Sequence, residues 1–97
     1  MEHLLKETPD GLQLQVTVQP SLGLHARPAA RIVQEMQNFA AEVIISRDNV
    51  NADAKSILDI MALAATAGSV LTVRATGSDA RQALLRIAEL FSASFKE

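Results

Sequence analysis

Leu12-Gln13-Leu14-Gln15-Val16-Thr17-Val18-Gln19-Pro20-Ser21-Leu22-Gly23-Leu24-His25-Ala26-Arg27-Pro28-Ala29-Ala30 changes its period halfway along. As far as Gln19, apolar and polar residues alternate strictly, the mark of a strand with one buried face. Pro20-Ser21-Leu22-Gly23 breaks that alternation into a loop. From Ala29 onward the apolar positions are Ala29, Ile32, Val33, Met36, Phe39 and Ala40, one face of a helix. A half-buried strand feeding an amphipathic helix needs a sheet to join and a sheet face to cover.

The rest of the chain supplies both. Ala41 to Arg47 reads as a second strand with Val43 and Ile45 on one side, and Asp48-Asn49 as a hairpin turn into a short third strand at Val50 to Ala52. Ser56-Ile57-Leu58-Asp59 has the pattern of a capping box, with a hydroxyl at the N-cap and a carboxylate three residues on. The helix it opens is expected from Ile57 to about Ala65, ending near Gly68. Val70 to Thr76 is the last strand. Gly77-Ser78-Asp79 caps a final helix whose stripe is Ala80, Ala83, Leu84, Ile87, Ala88, Leu90, Phe91 and Phe95. The order β-α-β-β-α-β-α implies an α+β fold with helices on one sheet face, and the tight turn makes its strand pair antiparallel. Residues 1–10 show no sustained period and hold the turn sequence Thr8-Pro9-Asp10-Gly11. They are expected to be a mobile lead-in to a single domain spanning 11–97.

Composition removes several function classes. The 97 residues carry a net charge of −2, with Lys and Arg scattered and only three aromatics, so nothing favours nucleic acid. No apolar stretch is long enough to span a membrane, and the N-terminus lacks the pattern of a signal peptide. The cytoplasm is the expected compartment. With no cysteine and two distant histidines, no metal site and no cofactor are expected. There is no P-loop, no GxGxxG and no GxSxG, and the carboxylates show no pairing spacing.

What remains is His25. It sits at or just before a helix N-terminus, where backbone N–H groups lack intrahelical partners and attract anions. Neutral imidazole is a competent nucleophile near pH 7. The amides of Ala26 and Arg27 suit phosphate, Arg27 adds a planar cationic fork, and Pro28 fixes φ at the helix start. The bland alternative is an ordinary helix start with Arg27 paired to a surface carboxylate. Ser56 is accounted for as an N-cap. The helix after it has few polar residues, so Ile57, Leu58 and Met61 either form an apolar patch for a partner or fill a gap left by small alanines.

Gly23-Leu24-His25-Ala26-Arg27-Pro28-Ala29 resembles the active-site signature of the HPr family, the histidine-containing phosphocarriers of the bacterial phosphotransferase system. Ala54-Lys55-Ser56-Ile57 resembles that family's serine site, at the family's usual separation, and the similarity covers roughly residues 12 to 95. The resemblance implies an open-faced β-sandwich: a four-stranded antiparallel sheet with three helices on one face. It implies that Nδ1 of His25 takes phosphate from phosphorylated Enzyme I and gives it to IIA domains of sugar permeases, helped by Arg27 and the Ala26 amide. Leu24, Ile57, Leu58 and Met61 would meet these partners, and Ser56 would be the target of an HPr kinase/phosphorylase. Such a chain is a monomeric transfer substrate more than an independent catalyst. Two other readings stay open: a regulatory HPr-like protein acting through Ser56 or through non-sugar signalling, and a small ligand-binding module in which His25 is incidental. The sequence departs from familiar members at Asp48-Asn49 (often Asn-Gly), at Leu63-Ala64-Ala65 (often Leu-Gly), at Gln34 and Gln37 (lysines in some), and in the carboxylate of Asp59.

Overall fold

Alternation along a strand becomes a buried surface only when neighbouring strands pair in register, and here they do. The computed structural model describes residues 5–19 and 25–96. Its strands are β1 (Lys6–Thr8), β2 (Gly11–Thr17), β3 (Glu42–Arg47), β4 (Val50–Asp53) and β5 (Val70–Thr76); its helices are α1 (Ala26–Met36), α2 (Ile57–Ala62) and α3 (Ala80–Ser92). The sheet runs β1-β2-β5-β3-β4 and every neighbouring pair is antiparallel. Leu14 faces Val73, Val73 faces Ile45 and Ile45 faces Ala52, so one apolar row crosses four strands. All four residues are buried.

The helices cover that face. Ala29, Ile32 and Met36 of α1, Ile60 of α2, and Ala83, Leu84, Ile87, Leu90 and Phe91 of α3 are buried in the same cluster as the sheet residues. Each large aliphatic side chain taken out of water there contributes about 1.5–3 kcal/mol before conformational entropy is subtracted. Phe91 and Phe95 meet edge to face, with ring centroids 5.0 Å apart. Among the described residues no polar or charged side chain is buried. The open-faced α+β sandwich expected from the sequence is the observed architecture.

Two expectations change. The sheet has five strands where four were expected, because Lys6–Thr8 pairs with Gly11–Gln13 instead of trailing as a mobile lead-in. The turn explains it: Thr8 Oγ1 accepts the Gly11 N–H at 2.9 Å, and Leu5 packs against the core. Gly11 is required there, since a Cβ would lie 2.2 Å from the Ala75 carbonyl oxygen. The second change is the length of α2, which stops at Ala62 instead of about Ala65. Ala64 turns to φ +51°, a left-handed conformation that ends the helix without a glycine.

Candidate functional site

His25 is the N-cap of α1, with extended backbone (φ −100°, ψ −165°), and its imidazole makes no capping bond. The side chain is exposed, as are Ala26 and Arg27. The first intrahelical bond runs from the Ala29 N–H to the His25 carbonyl at 3.1 Å. The helix pattern therefore leaves the N–H groups of Ala26 and Arg27 without intrahelical acceptors. Pro28 occupies the third helical position, where no intrahelical donor is needed, and it is buried. Among the described residues no carboxylate pairs with Arg27. The bland reading, a surface ion pair, has no partner there. Leu24 and the glycine before it lie outside the described residues.

Ser56 caps α2, its Oγ accepting the Asp59 N–H at 3.2 Å. The reciprocal half of the expected capping box is missing. Asp59 Oδ2 accepts the Asp53 N–H at 3.1 Å, while the Ser56 N–H goes to the Asp53 carbonyl at 2.9 Å. An aspartate is one methylene shorter than the usual glutamate, and β4 presents a nearer donor. Asp53 Oδ1 also accepts the Lys55 N–H at 2.9 Å, so Ser56 sits between two carboxylates already committed to backbone amides.

On α2, Leu58 is 80 % exposed, Met61 41 % and Ile57 40 %, whereas Ile60 is fully buried. The gap-filling role therefore belongs to Ile60 and Leu63, and the other three make an outward apolar surface. Lys55 Nζ donates to the Phe39 carbonyl at 2.7 Å, which sets the start of α2 beside the end of α1. The two helices pack together.

Longer-range anchors hold these pieces. Glu35 of α1 accepts from Arg86 of α3 at 2.9 Å and from Arg31 at 3.1 Å. The Arg86 hydrogen bond is the main cause that holds its carboxyl below the usual range, with Arg31 adding to it. The Asp79 carboxylate accepts the Ala40 and Ala41 N–H groups at 2.9 and 2.8 Å, and these, Ala40 first, hold its pKa down too. From sequence Asp79 is a helix cap, and neither Lys55 nor Arg47 carries a local signal for the carbonyls it meets. Arg47 has only its place in the strand period to mark it: it shares its face of β3 with Val43 and Ile45, so a cation stands on the core side and needs acceptors. No described helix is long and apolar enough to cross a membrane, and no described group of three His, Cys, Asp or Glu is placed to hold a metal.

A single antiparallel sheet under three helices, with an uncapped, exposed histidine opening the first, defines a small α+β protein built around that helix start. The family described as "PTS HPr component phosphorylation site" matches residues 12–93, and the chain belongs to the HPr family. It is 41 % identical over 86 residues to the phosphocarrier protein HPr of Xylella fastidiosa (strain Temecula1), covering 89 % of this chain and 97 % of that one. It is 40 % identical over 77 residues to the HPr-like protein Crh of Bacillus subtilis, covering 79 % and 91 %. The fold is similar to the crystal structure of HPr-C-His from Thermoanaerobacter tengcongensis, with a TM-score of 0.83 at 34 % identity, covering 88 % and 96 %.

Proposed function

We propose that this chain is a phosphocarrier that takes a phosphoryl group on His25 from phosphorylated Enzyme I and passes it to IIA domains of sugar permeases. The observation that carries the reading is the exposed, non-capping imidazole of His25 beside two N–H groups with no intrahelical acceptor. On loading, the Nδ1 lone pair forms a P–N bond as the donor histidine's P–N bond breaks; on unloading, that bond breaks as the acceptor histidine forms its own, so each step replaces one bond with another of the same kind. The chain's part is orientation and charge. The Ala26 and Arg27 amides and the N-terminal end of the α1 dipole receive the phosphoryl oxygens, and the Arg27 guanidinium neutralises charge developing in transit. Ile57, Leu58 and Met61 supply the apolar contact that brings a partner's histidine into line, and Leu24, the residue before His25 in sequence, joins them in meeting the partner. The carrier works in the cytoplasm as a monomer and needs no cofactor of its own.

Incubation with phosphoenolpyruvate and the cognate Enzyme I, followed by intact-mass measurement, tests this directly. One acid-labile phosphate is expected on the wild type and none on His25→Ala. A wild type that takes up no phosphate returns the chain to the class of ligand-binding modules. A second, regulatory reading draws on the Crh relative and on Ser56, the residue an HPr kinase/phosphorylase would modify. It gains ground if Ser56 takes phosphate from ATP while His25 stays unmodified.

A further inference from the structure

Six residues of helix are too few to hold themselves together in water, since the entropy lost in fixing the first turn is repaid by only a few further hydrogen bonds. The α2 helix nevertheless carries the three exposed apolar side chains on which partner docking is proposed to rest. Its N-terminal end is fixed by Ser56 and by the Asp59 tether to Asp53. The C-terminal end has only a backbone cap and no local side chain on it. The Leu63 and Ala64 N–H groups close tight turns onto the Ile60 and Met61 carbonyls, after which Ala64 adopts φ +51° and the backbone leaves the helix. The carbonyls of Leu63 and Ala64 are left pointing away at the negative end of the helix dipole.

Arg47 answers both. It is the last residue of β3, on the face that Val43 and Ile45 bury, and its Nη1 donates to the Leu63 carbonyl at 3.1 Å and to the Ala64 carbonyl at 3.2 Å. One guanidinium joins the sheet rim to the end of α2, over a sequence separation of sixteen and seventeen residues. We infer that Arg47 is a positioning residue for the docking surface, holding the end of α2 so that Leu58 and Met61 face a partner in one arrangement. This inference rests on the docking reading given under Proposed function. Arg47 itself touches no phosphoryl group.

The test varies the concentration of the full chain in phosphorylation by Enzyme I and phosphoenolpyruvate, and reads KM and kcat separately. Arg47→Met keeps an apolar stem and removes every donor. Its KM should rise about three- to tenfold with kcat within about twofold, because an opened α2 lowers the docking-competent fraction without touching the transfer step. Amide deuterium exchange of Ile60 to Ala64 should quicken in the same variant. Arg47→Lys should fall between wild type and Arg47→Met, as an ammonium serves these carbonyls less well than a planar fork. Met61→Asp should raise KM by itself, and the double variant should cost less than the sum of the two. An unchanged KM in Met61→Asp overturns the docking surface. A raised KM there, with wild-type KM and exchange in Arg47→Met, overturns the Arg47 assignment alone. Should Arg47→Met not fold, a wild-type KM in Arg47→Lys overturns it equally.

Discussion

An imidazole at a helix N-cap meets two opposing demands. A capping side chain turns inward to accept a backbone N–H, which is worth about 0.5–2 kcal/mol. A side chain that exchanges phosphate must face outward, and His25 does. On the proposed reading, the helix start gives up its side-chain cap and leaves its first amides to a transferred group. Arg27 is the one fixed cation of that turn, so Arg27→Ala should slow phosphorylation of His25 by about two to three decades, the loss seen when a single preorganised donor is removed. Rapid-quench rates with phosphorylated Enzyme I decide it, and a wild-type rate removes Arg27 from the mechanism. Ser56 is the opposite case, a residue whose side chain does turn in to cap its helix. Ser56→Asp keeps a good N-cap and should melt close to wild type, yet it adds charge between Asp53 and Asp59. If α2 docks Enzyme I, the phosphorylation rate should drop at least about tenfold, since opposed like charges at an interface cost several kcal/mol. Equal rates at matched ionic strength would leave Ser56 a cap and nothing more. Both helix starts, at His25 and at Ser56, are legible in the sequence because their signals are local: the loop residues and Pro28 around His25, and a hydroxyl three residues ahead of Asp59.

At the scale of elements, hydrophobic period and turn residues located every strand from β2 onward and all three helices. The misreadings fell where the signal was short or conformational. The strand β1 is three residues long and polar, too brief for any period to show, although Thr8-Pro9-Asp10-Gly11 announced a turn that needs a strand on each side. The apolar run of α2 continues in sequence to Ala65, in residues that form helices well, yet Ala64 leaves the helix at φ +51°. Propensity lost there to tertiary demand: Leu63 and Ala65 must be buried, and a continued helix would turn one of them outward. An L-residue in that conformation carries a steric cost that glycine avoids. Ala64 is exposed, so removing its methyl loses little packing. Ala64→Gly should stabilise the chain by about 0.5–1 kcal/mol, the steric relief less the extra freedom of glycine in the unfolded chain. Urea unfolding checks this, and a lowered midpoint at unchanged slope would mean that the left-handed turn carries no strain.

Across the whole molecule, the contacts that close the fold join residues far apart in sequence, which is why local patterns missed them. Asp79 stands at the N-cap of α3, as its place in the sequence implies, but its carboxylate serves the Ala40 and Ala41 amides, 39 and 38 residues away. It thereby fastens the chain between α1 and β3 to the start of α3. Glu35, through Arg86, joins α1 itself to α3. Both carboxyls titrate below their ordinary values of 3.8 and 4.5, Asp79 through the Ala40 N–H before its other causes and Glu35 through Arg86. A carboxyl held low in the folded state binds fewer protons there than in the unfolded chain. Its stabilisation is complete above the unfolded pKa and is lost as pH falls through the folded one. Stability should thus be level near neutrality and begin to decline once pH drops below about 4.5, the higher of the two ordinary values. Asp79→Asn removes the charge and leaves a single oxygen for two amides. The variant should melt lower than wild type at pH 7 and lose less on acidification, so that the two melting curves approach each other toward pH 3. Melting temperatures from pH 3 to 8 give the comparison, and a gap that stays constant with pH would separate the tether from the charge that is argued to make it.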